Sequence, residues 1–146
     1  MRQFHLLVAT VALGVTLVAP FASHSPLVAH AASCYGTNCN GKNPIAAGCT
    51  DGRATNAITA TLSNGHQVGQ VSVVYSHTCN AKWTYFYKYT PGVDGGTLGA
   101  EIDDAYGSGA DYFSSGPDNV SSPMVGGSQT MIGIGYYNNQ SFSLGG

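Results

Sequence analysis

The run Lys82-Trp83-Thr84-Tyr85-Phe86-Tyr87-Lys88-Tyr89 limits the fold more than any other feature of this chain. Large rings recur at every second position. An extended strand therefore gathers Trp83, Tyr85, Tyr87 and Tyr89 on one side and Lys82, Thr84, Phe86 and Lys88 on the other, whereas a helix would scatter them. A hairpin is legible just upstream. Ala57 to Leu62 alternates loosely, Asn64-Gly65 offers the positive-φ pair of a tight turn, and Val71, Val73 and Tyr75 share one face of the returning run. Met131, Ile132, Ile134, Tyr136 and Tyr137 mark a further strand, and Ser141 to Leu144 a last one. The abundance of turn and strand formers agrees, with 20 Gly and 9 Tyr among 146 residues. Residues 91–118 are Gly-rich and acidic, with Tyr106, Tyr112 and Phe113 embedded, and read as a long loop holding one short strand at most.

The first residues serve export rather than folding. Arg2 and His5 precede a largely apolar run of thirteen residues, Leu6 to Val18, which Pro20 follows. As a helix this run covers roughly 20 Å, short of the roughly 30 Å of a bilayer core, so it reads as the core of a signal peptide and not as a permanent membrane anchor. Ala29-His30-Ala31 places small residues where a signal peptidase reads them, which puts cleavage after Ala31 and leaves residues 32–146 as a single secreted domain. A lipid-modified Cys34 fits poorly, because it lies sixteen residues beyond Val18.

Charge excludes two classes of function. Only 8% of the residues are charged, which argues against a charge-rich disordered tail, and an isoelectric point near 6.1 supplies no basic field for nucleic acid. The charges are unevenly spread. Residues 32–90 hold Lys42, Arg53, Lys82 and Lys88 against Asp51 alone, while residues 91–146 hold Asp94, Glu101, Asp103, Asp104, Asp111 and Asp118 with no Lys or Arg.

All four cysteines, Cys34, Cys39, Cys49 and Cys79, fall in the part that remains after cleavage. An even count in a small exported domain points to two disulfides, with three pairings open. The spacing Cys-x4-Cys-x9-Cys-x29-Cys lacks the Cys-x2-Cys knuckle of structural zinc sites, so no metal or other cofactor is expected. Any bridge to Cys79 closes a loop of at least thirty residues and contributes on the order of 3–4 kcal/mol in the chain-entropy picture.

A wider pattern surrounds those cysteines: Cys34-Tyr35-Gly36-x2-Cys39-x-Gly41-x2-Pro44-x4-Cys49-x-Asp51-x3-Thr55, then Val71-x-Val73-Val74-Tyr75-Ser76-x2-Cys79-x-Ala81-x-Trp83. It resembles the bacterial domain of unknown function 2690 family over about residues 34–84, and Ser122-Pro123-Met124-Val125 is similar to that family's later Pro-Met-Val turn. Val74 departs from the pattern, which commonly has Arg there. The resemblance implies an exported bacterial domain, found alone or as the outer part of a membrane-attached regulator, with no established activity.

The aromatic row is the leading candidate for a ligand site, since exposed Trp83, Tyr85, Tyr87 and Tyr89 can stack on sugar rings while their hydroxyls supply polar contacts. Against this, the rings are the largest apolar groups of a small domain and are therefore the natural material of its core. The acidic group between Asp94 and Asp118 has oxygens of the type calcium takes, but no EF-hand or Gly-Gly-x-Gly-x-Asp repeat accompanies it. Glu101 and Asp104 are carboxylates of the kind a glycosidase uses, yet nothing in the spacing selects a pair. There is no Gly-x-Ser-x-Gly or His-Glu-x2-His, and His66 and His77 sit beside a turn and a strand end, so no catalytic residue is assigned. Asn119-Val120-Ser121 and Asn139-Gln140-Ser141 are glycosylation sequons that matter only in a eukaryotic secretory route.

The sequence thus leads to an all-β domain, a disulfide-stapled antiparallel sandwich or partly open barrel of five to seven short strands. Its expected role is non-catalytic binding outside the cell, of cell-wall glycan through the aromatic row with Lys82 and Lys88 nearby. The alternatives are a protein-binding inhibitor, a competition factor or a structural surface component. A small secreted hydrolase ranks last.

Overall fold

The computed structural model describes residues 31–92, 95–104, 112–127 and 129–146, with the side chains of Asp104 and Tyr112 excepted. The signal-peptide reading of residues 1–31 therefore lies almost wholly outside the described residues, as do Asp94, Tyr106 and Asp111. Among the described residues nine strands follow a short 3-10 turn at Gly36–Cys39: β1 Arg53–Thr61, β2 Gln67–Ser76, β3 Ala81–Lys88, β4 Leu98–Asp104, β5 Tyr112–Gly116, β6 Asn119–Ser121, β7 Val125–Gly126, β8 Met131–Tyr137 and β9 Gln140–Gly145. That is more than the expected five to seven, the surplus lying in the short β6 and β7, of three and two residues. Among the described residues no helix is long and apolar enough to cross a membrane.

All pairings are antiparallel. One sheet runs β1-β2-β3-β6, with β7 also pairing to β3, and the other runs β5-β4-β8-β9. The hairpin forms where the Asn64-Gly65 signal placed it: Gly65 takes a φ of 82°, and the Leu62 N–H donates to the His66 carbonyl across the turn at 2.8 Å. The sheets stack on Val71, Val73 and Phe86 from one side and Leu98, Ala100, Tyr137 and Leu144 from the other. They approach closely at β8, where a Cβ on Gly135 would come within 2.4 Å of the Val71 side chain and 2.9 Å of the Phe86 ring.

Two expectations need correction. Residues 91–118 contain two strands, and β4 occupies the middle of the second sheet. Its inner positions, Leu98, Ala100 and Ile102, do alternate, but the intervening Gly99, Glu101 and Asp103 gave it the composition of a loop. The sheet core also takes the opposite face of β3 from the one that ring size favoured. Thr84, Phe86 and Lys88 face inward, and the aromatic row faces outward.

A second core forms on that outward side. The segment before β1 folds over one end of the first sheet, and Cys34, Cys39, Ala47, Cys49, Val74, Cys79, Trp83 and Met124 pack together beneath it. The bridges are Cys34–Cys39 and Cys49–Cys79, and among the described residues no cysteine is free. Backbone hydrogen bonds clasp this loop to the Pro-Met-Val turn, from the Gly41 N–H to the Met124 carbonyl and from the Met124 N–H to the Lys42 carbonyl, both at 2.9 Å. The approach there is tight: a Cβ on Gly126 would lie 1.7 Å from the Gly36 carbonyl oxygen.

Candidate functional site

The alternation of β3 decides the environment of its four aromatic residues one position at a time. Trp83 is 6% exposed, wedged beneath the disulfide loop beside Val74, its neighbour on β2. Tyr85 and Tyr87 are half-buried, and Tyr89, just past the strand end, is 42% exposed. The row thus passes from a covered end to an open one. Ring centroids of Tyr85 and Tyr87 lie 5.9 Å apart and tilted by 30°, and those of Tyr87 and Tyr89 lie 5.9 Å apart edge to face. The Tyr87 hydroxyl donates to Gln70 at 3.4 Å, and the Tyr89 hydroxyl lies 3.4 Å from that of Thr59, so both rings are steadied from the neighbouring strands.

A groove of about 390 Å³ opens where the loop meets the sheet. Trp83 and Tyr85 form its inner wall, with Gly52 and Ser121 beside them, while Ile45 stands 77% exposed at the rim. Groove and tyrosines are continuous. Together they make one elongated surface of apolar ring faces with hydroxyl and amide groups at its margins, a chemistry suited to a ligand with both C–H faces and hydroxyls.

Lys82 and Lys88 do not flank this surface. Being one residue out of phase with the tyrosines, they project from the opposite face of β3. Lys82 Nζ donates to the Gln129 carbonyl at 3.0 Å. Lys88, whose side chain is 3% exposed, donates to the Gly96 carbonyl, stands 4.0 Å from the Asp118 carboxylate and lies over the Tyr137 ring.

The carboxylates are spread out. Glu101 accepts a short hydrogen bond from the Tyr136 hydroxyl, and Asp118 accepts the Gly92 N–H at 2.9 Å. Burial first, then the bond to Glu101 and the negative charges of Glu101 and Asp103, push the Tyr136 hydroxyl up from 10.0 to about 12, so it keeps its proton. His66 and His77 flank the two ends of β2, roughly 35 Å apart along an extended chain at about 3.3 Å per residue, and do not converge on one substrate. Among the described residues, the one place where three potential metal-ligating side chains meet is the sulfur cluster of Cys34, Cys49 and Cys79, whose sulfurs are all engaged in disulfides.

Asp51 has a role that sequence reasoning missed. It accepts a short hydrogen bond from the Ser76 hydroxyl and the Thr78 N–H at 3.0 Å, while Ser76 Oγ accepts the Cys79 N–H at 3.0 Å. The Ser76 bond, then that of Thr78, hold the Asp51 carboxyl down from 3.8 to about 2. This relay shapes the turn that presents Cys79 to Cys49. It gives a physical reason for the Asp51…Tyr75-Ser76-x2-Cys79 pattern, the one signal that could have revealed it.

A family model described as "Protein of unknown function (DUF2690)" matches residues 37–131, from the disulfide loop to the start of β8. No curated protein and no solved structure matches the chain.

Proposed function

The chain belongs to the DUF2690 family of unknown function, and from that premise we propose that it is a secreted or envelope-associated bacterial module that binds glycan without catalysis. The carrying observation is the outward placement of Tyr85, Tyr87 and Tyr89, which the sheet core does not use and which run on from the Trp83 groove. Partly exposed aromatic faces on a rigid sheet suit a polysaccharide, because stacking needs flat and pre-positioned rings more than a deep pocket. Two disulfides fit an oxidising compartment outside the cytosol. The short apolar run at residues 6–18 is the reason for reading secretion rather than anchoring.

The test is co-sedimentation with insoluble peptidoglycan and with chitin. The expected result is binding by the wild-type domain, weakened about tenfold by Y87A/Y89A, a loss of the size expected when two stacking rings are truncated. Failure to sediment with either polymer, or equal binding by the double variant, would set this reading aside. Chemical crosslinking in culture that captures one defined protein partner instead would favour the protein-binding alternative.

A further inference from the structure

The outer face of the second sheet carries a separate concavity. A groove of about 460 Å³ crosses from β5 over β4 to β8, with the rings of Phe113 and Tyr136 as its apolar lining. Phe113 is 58% exposed, and its ring centroid lies 6.0 Å from that of Tyr136 at an interplanar angle of 65°. Gly99 forms the floor between them, where a Cβ would come within 2.7 Å of the Phe113 ring. Ser115, Asn138 and Asn139 also line the groove. Both asparagines have positive φ, at 47° and 63°, in a turn where glycine would fit with less strain. The turn thus brings two asparagines to the groove. No residue lining it is charged.

We propose that this groove is a second ligand site, specific for a neutral pyranose unit of a polysaccharide. The C–H face of a sugar ring fits against Phe113, and its hydroxyls meet the amides of Asn138 and Asn139 and the Ser115 hydroxyl. Tyr136 contributes an acceptor, because its proton is donated to Glu101 and its oxygen lone pairs remain available. A neutral lining disfavours phosphorylated or strongly charged ligands, which would lose hydration without gaining a counter-charge. The site stands on its own residues. It also lies on the side of the sandwich opposite the tyrosine row, so one domain can hold two polysaccharide segments at once and gain affinity by avidity. That bridging role, unlike the groove itself, rests on the reading of the tyrosine row given above.

The experiment is an amide-resolved NMR titration of the disulfide-intact domain with N-acetylglucosamine tetramer and, separately, cellotetraose. Four proteins are compared: wild type, F113A, N139G and Y87A/Y89A. Phe113 is largely exposed and Asn139 already adopts a glycine-like φ, so neither substitution threatens the fold. The expected result is saturable shifts at β4, β5 and the β8–β9 turn with at least one oligosaccharide. These should weaken about tenfold in F113A, weaken in N139G and persist in Y87A/Y89A. Shifts confined to β3 would overturn the groove and leave the tyrosine row standing, whereas shifts at the groove alone would uphold it and remove the row. No shifts in either region at millimolar sugar, or F113A binding like wild type, would overturn the second site.

Discussion

Asp51 shows how one carboxylate fixes a turn far from it in sequence. Its folded pKa lies below its ordinary value, so the stabilisation is complete above about pH 4 and disappears as the pH falls through about 2. We predict that D51N lowers stability at pH 6 and removes this part of the acid sensitivity. Melts of both proteins from pH 6 to pH 2 would show curves that converge at the acid end, and parallel curves would refute the relay. Gly135 acts through its missing side chain. G135A should cost about 1–3 kcal/mol by forcing Val71 and Phe86 apart, read as a lower denaturant midpoint with an unchanged slope. Neither role was visible beforehand, because hydrogen-bonding partners and close approaches arise between residues that the chain itself holds far apart.

The loop before β1 stabilises the protein unequally through its two bridges. The Cys49–Cys79 link closes a thirty-residue loop and the Cys34–Cys39 link a five-residue one, a difference that chain entropy turns into about 3–4 kcal/mol against about 2. C49A/C79A should therefore lower the Tm by on the order of 10–15 °C, and C34A/C39A by clearly less. Calorimetry giving equal losses would point to native-state packing rather than chain entropy as the origin. At this scale the sequence was informative. β1, β2 and β3 were legible because turn chemistry and period-two patterning coincide there. β4 was hidden because small and acidic residues fill its outer positions, so only three inner side chains mark it as a strand.

Across the whole molecule, β2 and β3 belong to both cores: Val71, Val73 and Phe86 to the sheet core, Val74 and Trp83 to the disulfide core. Loss of either core exposes strands that the other needs. The two should unfold as one cooperative unit. Trp83 is the single tryptophan and sits in the disulfide core, so its fluorescence reports that core alone. Its denaturation curve should overlay that from far-UV circular dichroism. An earlier fluorescence transition would show the loop undocking by itself. The same arrangement governs the candidate sites, since the disulfide core takes Trp83 out of solvent, partly covers Tyr85 and leaves Tyr89 at the open end of the row.

By itself the sequence determined that the chain is built of antiparallel strands, where the first hairpin turns, and that its cysteines are available for two bridges. Those properties follow from backbone periodicity, turn stereochemistry and residue counts, all of which are local. Tertiary structure alone decided which cysteines pair, which face of β3 points inward and that Lys88 rather than Tyr87 enters the sandwich. A period of two assigns residues to opposite faces, but the inner face is chosen by what the other sheet and the N-terminal loop bring against it. Here the close approach of β8 through Gly133 and Gly135 accommodates Phe86 and Thr84, and the disulfide loop covers Trp83 from the other side.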